Sequence, residues 1–355
     1  MKRNGKIEFF RFIFCISIIF FHCQRHFLNI DKTTQHFAFF PRGYFGVEFF
    51  FLVTGFLMAK SVSSSIQSSP ISPDLGKGTF SFMVRKIKAI LPYHVIAFTI
   101  LFMATAIMEN FSPRQLMINF LDYLPNLFFI QKIGFGPSLN RVEWYICCML
   151  FSLAILYPLC RKYYSMFVHI IAPVGGLMIL GYLTHQYGTF APGTEKWIGF
   201  IPVYLLRSIA EIALGTSAFQ LATYLSKLQL TQAKKILFTA TEFLCYLTPL
   251  FFCMTTLDAK YEIIFTIALF FAIATSFSNQ TYGNQLFNNR FVYSLGSWSL
   301  VLYLNQVVGL DIAENLLPPN PMIQTAAVLG ITFISAALSE IVIKATKLVT
   351  KRFQK

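Results

Sequence analysis

Runs of about 20 almost wholly apolar residues recur along the entire chain, and that is the length a helix needs to cross the hydrocarbon core of a bilayer. They predict membrane-spanning helices near 7–24, 44–60, 89–108, 143–160 and 167–184, then near 199–220, 236–255, 261–278, 296–313 and 322–343. The expected fold is all-α, a polytopic membrane protein with about ten transmembrane helices. A further apolar stretch, 116–131, is broken by Asp122 and Pro125 and reads as a re-entrant or interfacial piece in the longest external loop.

Charge explains how such a chain is oriented. Only 12% of the residues are charged, against about 25% in an ordinary soluble domain, and the formal net charge is +14. The basic residues gather at the ends of apolar runs and form no face that could track phosphates, so a nucleic-acid partner is not expected. Of the 29 Lys and Arg residues, 20 fall on the side of the N-terminus and 8 on the opposite side, with Arg207 inside a predicted helix. The positive-inside rule then puts both termini in the cytoplasm. The basic start and first apolar run resemble a signal peptide, but no small-x-small cleavage site follows Phe20, and the run reads as a retained first helix.

One membrane domain fills residues 1–355, with its core at about 5–344 and no appended soluble domain expected; the Ser-rich stretch Ser61–Ser72 reads as a flexible cytoplasmic loop. Seven cysteines lie mostly within apolar runs and have no metal-ligand spacing. They are expected as small buried or lipid-facing residues, and no metal is expected.

An ionisable side chain inside a membrane helix is costly, so each one is a functional candidate. The first helix carries Arg11 and His22. Eleven residues at 100° each leave them about 20° apart on one face and about 16 Å apart in depth. Arg11 near the cytoplasmic interface could meet an anionic donor, and His22 further out could act as a general base. The alternative is that Arg11 snorkels and His22 bonds between helices. Glu48, just inside the second helix, sits at a depth similar to His22 and could orient it, unless it pairs with Arg42 or another external cation.

Arg85, Lys86 and Lys88 precede Pro92 at the predicted start of the third helix, where they could hold the phosphates of a nucleotide-bearing donor or serve only as topological anchors. Arg141, Glu143 and Trp144 stand at an external boundary, as acceptor-binding groups or as part of an aromatic belt. Arg207 and Glu211 are four residues apart and can neutralise each other. His94, His169 and His185 have no evident partner and read as loop or boundary residues.

Taken together, the Arg-x10-His pair at Arg11 and His22, the segment GVEFFFLVTGF from Gly46, the basic run before Pro92, EWYICCMLFSLAILYP from Glu143 and SWSLVLYLNQ from Ser297 form a pattern. It resembles the acyltransferase-3 family of bacterial integral membrane acyltransferases, which modify sugars of lipopolysaccharide O-antigen, exopolysaccharide and peptidoglycan. The resemblance implies acetyl-CoA or another acyl-CoA as donor substrate, with no permanently bound cofactor. It also implies an envelope glycan or lipid-linked sugar as acceptor, and a multi-pass protein of the bacterial inner membrane. It makes His22 essential, Arg11 its companion, and Arg85 with Lys88 donor-binding. Three positions depart from the pattern: Lys88 stands where many members have Arg, Thr54 replaces a common Ser, and Gln306 stands where many have His. The rival reading is a proton-coupled transporter or flippase, in which His and Glu inside the membrane relay protons. A purely structural membrane partner is a third reading.

Overall fold

The computed structural model describes residues 3–27, 39–68, 74–193 and 195–353, with side chains described as far as 346. Eleven helices longer than three turns carry the fold: α1 (Gly5–Phe27), α2 (Gly46–Ser68), α3 (Leu75–Met108), α4 (Pro113–Leu127), α5 (Trp144–Lys162) and α6 (Tyr164–Tyr187, with a π-helical turn at Phe167–Ile171) come first. They are followed by α7 (Val203–Leu225), α8 (Gln232–Cys253), α9 (Glu262–Ser278), α10 (Arg290–Leu316) and α11 (Pro321–Phe353). The only strands among the described residues are a two-residue antiparallel pair, Trp197–Ile198 with Ile201–Pro202.

Each predicted apolar run corresponds to one long helix. Among the described residues, eight helices are long and apolar enough to cross a membrane by composition. Of the ten helices that match a predicted run, the two not in that set, α7 and α10, are of similar length but carry buried polar side chains, among them Arg207, Glu211, Asn305 and Gln306. They form the interior of the bundle, where polar groups face protein instead of lipid. Exposed apolar side chains such as Met178, Phe243, Ile264 and Ile334 lie on the outer helices.

Three expectations change. The third helix begins at Leu75, capped by the Asp74 side chain on the N–H groups of Gly76 and Lys77, and not near 89. Its 34 residues make it about 50 Å long, well beyond a bilayer core of about 30 Å. Ser61–Ser68 continues α2 as helix, because Val62 is still in the core; Lys2, Lys32, Lys355 and the end of the Ser-rich stretch, 69–72, lie outside the described residues. The 116–131 segment holds most of α4, whose 15 residues start at a Ser112–Gln115 capping box and expose Met117, Ile118 and Leu121. At about 22 Å it is too short to span. The seven cysteines are unpaired, and all but Cys245 are buried.

Two contacts set the heights of the helices that matter below. At the crossing of α2 and α7, a Cβ added to Gly55 would collide with the carbonyl of Ile212, and one added to Gly215 with the carbonyl of Leu52. The two backbones therefore touch, as small residues permit between membrane helices. The start of α1 is bolted by the buried ammonium of Lys6, which donates to Glu242 (2.5 Å), Thr281 (2.9 Å) and the carbonyl of Tyr282 (2.7 Å). The Cys15 thiol donates to the carbonyl of Ser299 on α10 at 3.2 Å.

Candidate active site: two cavities with a shared wall

The helix α1 is unbroken from Gly5 to Phe27, so Arg11 and His22 keep the separation of about 16 Å that helix geometry requires. Each reaches a different cavity. Toward the N-terminal side, a cavity of about 220 Å³ is lined by Arg11, Thr54, Lys86, Tyr145 and Met149, together with Val47 and Tyr303. Toward the far side, a cavity of about 760 Å³ is lined by His22, Arg25, Arg141, Trp144 and Tyr204, again with Val47 and Tyr303. The two spaces thus share one isopropyl group and one phenol as a septum. The Tyr303 hydroxyl donates to the carbonyl of Val142 at 2.5 Å, which fixes the ring between them.

In the inner cavity Arg11 is 4.0 Å from Glu8, and its buried Nε has no hydrogen-bond partner among the described residues. Lys86 lies on the same wall, its ammonium 5.5 Å from the Phe82 ring. Of the three basic residues before Pro92 it is the one that faces this cavity; Arg85 and Lys88 are exposed on another face of α3. The three do not stand at a helix start, since α3 begins about three turns earlier.

In the outer cavity no described residue hydrogen-bonds to the His22 ring, whose aromatic neighbour is Phe21. Glu48 does not orient it. The fully buried carboxylate takes the guanidinium of Arg207 at 2.5 Å, and Arg207 also donates to Glu211 at 2.8 Å. The physical reason is the glycine contact: it brings α2 against α7 so closely that a charge on each helix meets its opposite before either reaches α1. The neutralisation expected for Arg207 and Glu211 is present and extends to Glu48. Arg207 also faces the Trp144 ring at 5.6 Å and the Tyr204 ring at 5.8 Å, a geometry favourable to a cation.

The three external-boundary residues part company. Arg141 lines the outer cavity and pairs with Asp311 at 2.5 Å. Trp144 lines it too, stacked on Tyr204 at 4.2 Å. Glu143 does not: it is fully buried and accepts from His94 Nδ1 at 2.8 Å and from Gln131 at 3.3 Å. His94, read from sequence as a boundary residue, is fully buried in α3, and its Nε2 is 3.0 Å from the carbonyl of Asn126. This network ties the segment after α4 to α3 and α5. Gln306 is buried, donates to the carbonyl of Tyr303 at 2.9 Å and faces neither cavity. Among the wall residues that the sequence reading did not single out for the site are Tyr303, Val47, Arg25 and Lys132; for Tyr303 the signal available was a Tyr-x-Asn-Gln cluster inside an apolar run.

Apolar helices around two cavities, with ionisable side chains turned inward, define a polytopic membrane protein. The chain belongs to the acyltransferase-3 family: that family's model, described as an acyltransferase domain, matches residues 4–340. It is a membrane acyltransferase. No curated protein and no solved structure matches the chain.

Proposed function

We propose that the protein is an O-acyltransferase that moves an acyl group, acetyl in the first instance, from cytoplasmic acyl-CoA to a hydroxyl of an envelope glycan or lipid-linked sugar. In this reading the chain crosses the bacterial inner membrane ten times with both termini in the cytoplasm, so the smaller cavity opens to the donor and the larger to the acceptor. The observation that carries it is the placing of Arg11 and His22 on one helix, one in each of two cavities that share Val47 and Tyr303.

Arg11 and Lys86 hold the charged part of the donor, with the unpartnered Arg11 Nε available to an anionic oxygen. The thioester extends past Val47 and Tyr303, so that its carbonyl meets the acceptor hydroxyl at His22. His22 removes the proton of the acceptor hydroxyl as that oxygen attacks the thioester carbonyl. The carbon–sulfur bond breaks, the thiolate leaves on the donor side, and the proton stays on the imidazole until it is lost to the outer cavity. A base at this position needs no carboxylate orienter, consistent with Glu48 being committed to Arg207.

The test is thiol release from acetyl-CoA by the purified protein in nanodiscs, with and without envelope glycan. Wild type should release thiol and form a glycan ester. His22→Ala should fold normally and lose about 10²–10⁴-fold in rate, the usual worth of a general base. A folded His22→Ala protein at full rate would remove His22 from the mechanism. No release by wild type with any acyl donor would favour a transporter.

A further inference from the structure

Basic side chains outnumber acidic ones along the wall of the outer cavity. Its ionisable wall is made by His22, Arg25, His26, Lys132, Arg141 and Arg207, against a single carboxylate, Glu195. The acids that pair with these groups do not line the cavity: Asp311 holds Arg141, Glu314 holds His26 at 2.6 Å, and Glu48 and Glu211 hold Arg207. Arg25 has no ion-pair partner among the described residues, and Lys132 has only the largely exposed Glu195, 4.0 Å away. Topology does not account for the cluster, because the positive-inside rule depletes this side of basic residues. Three of the eight Lys and Arg residues on it, Arg25, Lys132 and Arg141, nevertheless face one cavity. Trp144 and Tyr204, stacked on each other, line the same cavity and add an aromatic element beside these cations.

We infer that the acceptor is an anionic sugar, one that presents a carboxylate or phosphate to Arg25 and Lys132 while its hydroxyl reaches His22. This rests on the acyl-transfer reading and adds the acceptor's charge to it. Both anions satisfy the same cations, so the experiment separates them.

The full-length protein in nanodiscs of neutral lipid is given acetyl-CoA and four acceptors: a neutral oligosaccharide, its counterpart containing a hexuronic acid, a sugar phosphate and a polyprenyl-phosphate-linked sugar. Ester formation is followed by mass spectrometry and thiol release in parallel. At least one anionic acceptor should exceed the neutral one by about tenfold or more in kcat/KM, as one charge-assisted hydrogen bond is worth, and the advantage should shrink as salt is raised. Whichever acceptor leads tells carboxylate from phosphate. Arg25→Gln and Lys132→Gln should each raise KM for that acceptor more than they lower kcat, and Arg25→Glu should be worse. Arg114→Gln, an exposed cation on α4 outside the cavity, should change neither. Equal use of neutral and anionic acceptors, or an Arg25→Gln KM equal to wild type, would overturn the inference while leaving acyl transfer intact. Absence of thiol release with every acceptor would overturn the underlying reading as well.

Discussion

Arg207 and Glu48 meet at 2.5 Å across the contact between α2 and α7, both fully buried, and Glu211 completes the group from one turn further along α7. One guanidinium therefore faces two carboxylates, and each carboxylate has one oxygen without a hydrogen-bond partner among the described residues. Removing the shared partner should be the most damaging single change. Arg207→Met strands both acids and is expected to cost about 3–5 kcal/mol, seen as a large fall in the thermal unfolding midpoint of the detergent-solubilised protein. Glu211→Gln, which leaves one acid on one base, should be far milder.

The same geometry separates Glu48 from His22, the base of the proposed transfer. If Glu48 serves Arg207 alone, Glu48→Gln should leave the pH at which transfer rises to half its maximum where it is in wild type, whatever it does to yield or stability. A shift of that midpoint in Glu48→Gln would restore Glu48 as the orienter of the base.

On the donor side, Lys86 lines the inner cavity and its neighbours Arg85 and Lys88 do not. Lys86→Gln is expected to raise KM for acyl-CoA about tenfold, the loss of one charge-assisted contact. Arg85→Gln and Lys88→Gln should stay within about twofold, because exposed charges contribute little. The reverse ranking would move the donor's phosphates out to the exposed face of α3.

Gly55 and Gly215 test the helix contact itself. A methyl at either position meets a carbonyl of the facing helix, and overpacking of this kind costs about 1–3 kcal/mol or more. Gly55→Ala should lower the unfolding midpoint, whereas Gly330→Ala, where a Cβ meets nothing within 4 Å, should not.

The His94–Glu143 pair predicts a local effect. Either His94→Ala or Glu143→Ala leaves a buried polar partner stranded and should loosen 126–143. Hydrogen exchange should rise in that segment and leave α7 and α9 unchanged.

The ten apolar runs were legible because lipid imposes them: each produced one long helix, and the helical repeat alone placed Arg11 and His22 on one face at two depths. Helix ends were less legible. The start of α3 was missed because Lys77 to Lys88 continues the helix past the apolar run, and the helical Ser61–Ser68 was missed for a similar reason. Partners were not legible at all where they lie far apart in sequence. Glu48 and Arg207 are 159 residues apart, and His94 and Glu143 are 49. Which charge meets which is decided by the crossing at Gly55 and by the path of the chain after α4, and neither is written in local spacing. Only the four-residue step from Arg207 to Glu211 could be read directly.

The septum of Val47 and Tyr303 has one more consequence under the proposed reaction. The thiol product is released into the compartment that supplied the thioester, and the ester product into the other, so neither substrate need traverse the bilayer for the two to react. Only a short carbonyl fragment makes the passage, and the energy of the thioester is thereby used in the compartment of the acceptor.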